Sequence, residues 1–158
     1  NEGVDWALQG ASGLVPVTLL LVLAFALGQV SQALNMGDYV VGLVGDSGPA
    51  WWIPIVVFGV SCFVSFTLGS SWTTFAILIP IAVPLAQGLA LPPGLLLGAV
   101  LSGGVFGDHA SPLSDTSIIS SMAAACDHVD HVSSQLPYAL VQAGAAVIAF
   151  GIAGWVMA

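Results

Sequence analysis

The run from Leu14 to Leu34 constrains this chain more than any other feature. It is largely apolar over about the 20 residues that a helix needs to cross a ~30 Å hydrocarbon core. In lipid no water is present to satisfy backbone N–H and C=O groups, so a segment of this kind must be helical. The remainder agrees: 58% of the 158 residues are hydrophobic and 5% are charged, against roughly 25% charged in a soluble domain. The expected fold is an all-α membrane protein, a polytopic helical bundle in the lipid bilayer.

The chain has no lysine or arginine and eight acids, for a formal net charge of −8. That excludes nucleic-acid binding and docking to anionic lipid through a basic patch. It also leaves orientation unreadable, because the positive-inside rule has nothing to count. Cys62 and Cys126 lie in apolar or small-residue surroundings without CxxC spacing and read as packed thiols. The opening Asn1-Glu-Gly-Val-Asp5 carries no basic start of a signal peptide. Glu2 and Asp5 read as solvated, and the lack of an initiator Met points to a processed chain or a piece of a longer one.

After Leu34, Asn35-Met-Gly-Asp38 ends the first span. Tyr39–Val44 is too short to cross and reads as an interfacial piece, and Gly45–Pro49 as a turn. Trp51 and Trp52 mark a membrane–water boundary. Ile53–Leu68 then enters the membrane, the polar Gly69–Thr74 interrupts it, and Phe75–Ala86 resumes, bent by Pro80 and Pro84. Gln87–Gly94 is a turn. Leu95–Phe106 is apolar and rich in glycine, which permits close helix packing. Ile118–Cys126 reads as a half-helix. The final span is expected over Gln135–Val156, capped by Ser133 or Ser134.

Between the last two apolar pieces lies Gly107–Ser121, the most polar stretch in the most apolar surroundings. Ionisable groups at membrane depth cost several kcal/mol, so they mark ion or substrate paths. Pro112 lacks a backbone donor and disfavours helical geometry at Ser111, so the helix opens there and frees carbonyls for a cation. Two helices are therefore interrupted, one at 65–74 and one at 107–116. Irregular backbone at that depth is tolerated only where protein or a water-filled cavity covers it. Paired discontinuous helices point to the midplane site of a secondary transporter; the alternative is two ordinary extramembrane loops.

The residues that fill these stretches resemble those of a known family. Ser65-Phe-Thr-Leu-Gly-Ser-Ser-Trp-Thr-Thr74 with Ala76-Ile-Leu-Ile-Pro-Ile-Ala-Val-Pro84 is similar to the second half of NhaC-type sodium/proton antiporters. So are Gly104-Val-Phe-Gly-Asp-His-Ala-Ser-Pro-Leu-Ser-Asp-Thr116, Ser120-Ser-Met-Ala123, Cys126-Asp-His-Val-Asp-His-Val132 and Gln135-Leu-Pro-Tyr-Ala139. Family members more often show Gly-Thr-Ser-Trp-Gly-Thr in place of Gly69–Thr74, and a basic residue in place of Ser133. The resemblance implies that residues 1–158 form one transmembrane unit, the C-terminal half of an inverted-repeat transporter in a prokaryotic inner membrane. Its partner would be the N-terminal half.

A sodium site wants hard oxygen ligands. Asp108 and Asp115 supply carboxylates, Ser111, Ser114 and Thr116 hydroxyls, and the opened turn carbonyls; Ser70, Ser71 and Thr73 could face the same cavity. A carboxylate in a low-dielectric cavity can hold a proton that sodium displaces. The expected exchange carboxylates are Asp108 and Asp115, with Asp115 the direct sodium contact. The opposing readings make Asp115 a helix cap and Asp108 a partner for His109. His109 could relay protons or simply hold the loop, and Trp72 reads as packing rather than a gate.

Asp127, His128 and His131 have metal-like spacing, but the Asp127–His131 cluster reads better as an interfacial element that caps or positions the last helix, or tunes the pH response. No cofactor is expected beyond transported Na⁺ and H⁺. An enzyme is not expected either, since no strand-to-helix nucleophile elbow carries the Ser, His and Asp residues. Two other functions fit the residues: sodium- or proton-coupled exchange of an organic acid or amino acid, and a non-transporting scaffold subunit. A chain without charge bias could also insert both ways and pair as an antiparallel homodimer.

Overall fold

The structure, a computed structural model, describes residues 2–35, 38, 39, 42 and 50–157. Among the described residues every regular element is helical. Helix α1 covers Glu2–Ala33, and a single 3-10 turn, Ala50–Trp52, leads into α2 (Ile53–Leu68). Then follow α3 (Ser71–Gly88), α4 (Pro93–Ala110), α5 (Asp115–Ala123) and α6 (His128–Met157). Ala50–Leu68, Ser71–Gly88 and His128–Met157 are each long and apolar enough to cross a membrane. This is the all-α membrane protein that the composition predicts.

The boundaries differ from the sequence expectation in instructive ways. Helix α1 begins at Glu2 rather than Leu14, so the polar opening is helical. The expected interfacial piece at Tyr39–Val44 and the turn at Gly45–Pro49 lie outside the described residues, apart from Tyr39 and Gly42. Helix α3 absorbs Ser71–Thr74, because Ser70 is extended (φ −151°, ψ 116°) and its side chain accepts the Thr73 amide. Helix α5 begins at Asp115, capped by Ser114, rather than at Ile118.

Helix α6 starts at His128, so Ser133 and Ser134 lie inside it and cap nothing. Asp127 takes their expected place: its Oδ1 accepts the amides of Val129 at 2.8 Å and Asp130 at 3.3 Å. A carboxylate satisfies the unpaired first-turn amides and also suits the positive end of the helix dipole. Cys62 is half-buried as a packed thiol should be, whereas Cys126 is exposed.

Helix α4 is the hub. Ser61 and Ser65 on α2 donate to the carbonyls of Val100 and Gly104, each at 2.6 Å. Both pairs advance together, so α2 and α4 run parallel. They approach closely because α4 presents glycine: a Cβ at Gly107 would lie 2.5 Å from the Cys62 carbonyl oxygen and 2.6 Å from the Phe66 amide. Helix α3 runs the other way along α4, with Phe75 against Gly104 and Ser71 at Asp108. The chain therefore reverses at Gly69–Ser70, and the first interruption is the tip of a helical hairpin.

Helix α6 closes the bundle antiparallel to α2, with Phe58 on Phe150 (centroids 5.6 Å apart) and Trp51 edge-on to Trp155 (6.4 Å). Helix α1 lies beside α3. Ile53, Ala82, Leu85, Ala86, Leu91, Leu96 and Val100 form the apolar core. Lipid tails are as apolar as leucine, so burial drives little here. Close backbone contact and interhelical hydrogen bonds hold such helices together instead.

Candidate functional site

The two interruptions meet. Gly69 closes α2 in the left-handed region (φ 64°), and its amide donates to the Ser65 carbonyl at 2.8 Å. A Cβ there would come within 2.7 Å of the Leu113 carbonyl carbon and oxygen. Glycine is thus required twice, for its backbone angle and for the passage of a second chain segment. The second interruption is Ser111–Ser114, between α4 and α5. Ser111 is extended (φ −82°, ψ 129°), as a residue before proline prefers. Its hydroxyl donates to the Phe66 carbonyl at 2.7 Å and ties this break to the end of α2.

Asp108, in the last turn of α4, sits where these segments converge and is only 4% exposed. Its Oδ1 accepts the Ser114 hydroxyl at 2.7 Å, and its Oδ2 accepts Thr116 at 3.0 Å and Ser71 at 3.5 Å. Ser71 opens α3, and Ser114 and Thr116 open α5, so the carboxylate lies at two helix N-termini. The positive ends of both dipoles and three hydroxyls compensate a charge that burial would otherwise penalise.

The sequence candidates separate into two groups. Asp108, Ser71, Ser114 and Thr116 come together. Ser70 and Thr73 pair with each other at 3.2 Å across the first turn of α3, and Ser111 faces Phe66. Asp115 is exposed, and its Oδ1 accepts the Thr116 amide at 2.8 Å. His109 is exposed and turns its Nδ1 to the Val105 carbonyl at 2.8 Å, so it is not paired with Asp108. Trp72 is exposed and stacks edge-on with Phe75.

Sequence reasoning missed Ser61 and Ser65, whose signal was a four-residue spacing of small polar residues opposite a glycine-rich helix. It also missed the link from His128 to the break, for which no local pattern exists. Among the described residues no three His, Cys, Asp or Glu groups come together as for a metal ion. A separate groove of about 420 Å³ between α2, α4 and α6 is lined by Phe58, Leu101, Ser102, Phe106 and Gln142 among others. It contains none of the residues around Asp108, so it is not the polar site.

A helical membrane bundle whose polar centre is one buried carboxylate between a hairpin tip and a broken helix is the class that this fold and site define. The chain belongs to the Na+/H+ antiporter family, whose family model it matches over residues 1–155. Its place is therefore among integral membrane transporters rather than enzymes, and its bacterial relatives fit a prokaryotic inner membrane. It is 40% identical over 139 residues to an uncharacterised protein of Haemophilus influenzae, covering 86% of this chain and 26% of that protein. It is 39% identical over 93 residues to the arginine/ornithine antiporter ArcD of Halobacterium salinarum (59% of this chain, 19% of that protein). With the malate-2H(+)/Na(+)-lactate antiporter of Bacillus subtilis it shares 33% over 91 residues (58% and 19%). The chain thus spans about a quarter or less of these relatives' length. No solved structure matches it.

Proposed function

We propose that this chain is one repeat of a secondary transporter that exchanges sodium for protons, with Asp108 as the group that carries either cation. The observation that carries this reading is the burial of Asp108 among three hydroxyls at the junction of the two interruptions. With the carboxylate ionised and the site empty, the hydroxyl hydrogens point at it. When Na⁺ enters, the same hydroxyls rotate and offer lone pairs, so carboxylate and hydroxyls become one set of hard oxygen ligands. When a proton enters instead, the neutral acid donates to Ser114 or Thr116. Each exchange needs only rotation of O–H bonds. Sodium and proton cannot both occupy Asp108, and that exclusion is the coupling.

Asp115 serves as the second carboxylate, at the exposed head of α5, where it can attract a cation toward the buried one. His109 would relay protons from the exposed side of α4. The unit works with further transmembrane helices, a reading supported by its match to part of much longer relatives. A homodimer is the remaining way to complete an inverted repeat.

The test uses the full-length parent in sealed liposomes with an internal pH dye. Adding Na⁺ outside should make the lumen alkaline as protons leave, and Asp108→Asn should abolish the response. Asp108→Asn exchanging at the wild-type rate ends the proposal. A second reading, coupled exchange of an amino acid or organic acid, is favoured by the names of the Halobacterium salinarum and Bacillus subtilis relatives. Against it, the chain has no lysine or arginine and offers a carboxylate substrate only helix N-termini. Luminal pH changes that require arginine, ornithine, malate or lactate would establish that second reading.

A further inference from the structure

His128, the first residue of α6, is half-buried, and its ring bridges two points on the other side of the break. Nε2 lies 2.8 Å from the Pro112 carbonyl oxygen, and Nδ1 lies 3.3 Å from the Ser121 hydroxyl. Pro112 precedes α5, and Ser121 belongs to its last turn. One imidazole therefore ties both ends of the short helix to the head of α6.

The chemistry of the partners fixes the ring. A carbonyl oxygen only accepts, so Nε2 carries a hydrogen and donates it to Pro112. The Ser121 hydroxyl donates to the Ile118 carbonyl at 2.8 Å and then accepts from a protonated Nδ1; turned round, it donates to a bare one. The bond to Pro112 is common to both states. Neighbouring acids leave the ring alone: Asp127 holds the amides of Val129 and Asp130, and Asp115 holds that of Thr116. Among the described residues His128 forms no ion pair, and the nearby His131 ring faces Cys126 at 3.9 Å.

The break needs such a tie. Its backbone bonds are long, Ser111 to Asp108 at 3.3 Å and Ser114 to Ser111 at 3.4 Å. Side chains hold it from both sides instead, Ser111 on the Phe66 carbonyl and His128 on the Pro112 carbonyl. Pro112 lies two residues before Ser114, whose hydroxyl is on Asp108. We propose that His128 is a positioning residue that clamps the Pro112 carbonyl and so keeps the Ser114 and Thr116 hydroxyls on the Asp108 carboxylate. The inference rests on the reading of Asp108 as the exchange carboxylate.

The test compares full-length wild type with His128→Gln, His128→Asn and His128→Leu in the dye-loaded liposomes. Glutamine puts an amide N–H where Nε2 stands; asparagine is too short to reach Pro112. The leucine and asparagine variants should raise the apparent KM for Na⁺ by about tenfold, the scale of one lost hydrogen bond, with the maximal rate changed less than about twofold. Glutamine should restore the KM and leave the pH profile of exchange as in wild type. Amide hydrogen exchange across residues 111–116 should quicken in the leucine and asparagine variants and not in glutamine. A glutamine variant as impaired as leucine, a shifted pH profile, or equal amide exchange in all four proteins overturns the clamp. Wild type that fails to exchange Na⁺ for H⁺ overturns the transport reading, and amide exchange then still decides the clamp.

Discussion

The two interruptions do opposite jobs. At Gly69–Ser70 the chain reverses in two residues, and its geometry is set by a left-handed glycine against which Leu113 packs. At Ser111–Ser114 the opening is longer, is forced by Pro112, and sits between Asp108 and two of the hydroxyls that contact it. The first supplies shape and one distant hydroxyl, Ser71 at 3.5 Å from Asp108; the second is flanked by the Asp108 carboxylate and the nearer Ser114 and Thr116 hydroxyls that bond it. A tight turn leaves no room for ligands, whereas an opened helix frees several polar groups at once.

The sharpest way to break this contrast is to remove charge from each side of α5's start. Asp108→Asn should abolish exchange, a loss of at least about a hundredfold if the buried carboxylate is the cation's only close anion. Asp115→Asn, on an exposed side chain, should cost less than about tenfold in the same dye assay. Equal loss from both would restore Asp115 to the role the sequence reading gives it.

A shape test comes next. Gly69→Ala forces a Cβ onto the Leu113 backbone and into a φ that costs roughly 1–2 kcal/mol. Thermal unfolding of the purified parent should move down by several degrees, and exchange should fall with it. Unchanged stability would mean that the hairpin tip has room the structure does not give it.

Hydroxyl deletions then separate capping from ligation. Ser114→Ala removes both a cap and the 2.7 Å contact to Asp108, so it should raise the KM for Na⁺ by about tenfold while lowering stability by about 1 kcal/mol. Ser70→Ala removes a cap and the local contact from the Thr73 hydroxyl, neither of which touches Asp108, and should give a stability loss of about 1 kcal/mol with little change in KM. The smallest effect is expected for Ser71→Ala, whose 3.5 Å contact is long; a KM rise of about twofold is the scale of so weak a bond.

Much of this was legible in the sequence. Composition alone placed the chain in a bilayer, and Pro112 alone located the second opening, because proline cannot continue a helix ladder. Ser114 and Thr116 were legible as partners of Asp108 because they are close in sequence. Ser111 was not legible: its hydroxyl bonds a carbonyl 45 residues away, and nothing local announces that. The cap of α6 was legible in two versions, one from Ser133 or Ser134 and one from the Asp127–His131 cluster. Two serines and one aspartate competed for the role, and the charged group nearest the turn won.

Sequence by itself determined the solvent, the helices and the place of each interruption, because hydropathy, glycine and proline act locally. Only the tertiary structure decided that the first interruption reverses the chain, that it lies against the second, and that Asp108 rather than Asp115 is buried there. Those outcomes depend on which helix faces pack. Here they follow from the parallel seating of α2 on α4, through Ser61, Ser65 and the glycines opposite them. Two aspartates seven residues apart have the same chemistry in the sequence. The fold makes them different by putting one under two helix N-termini and leaving the other in the open.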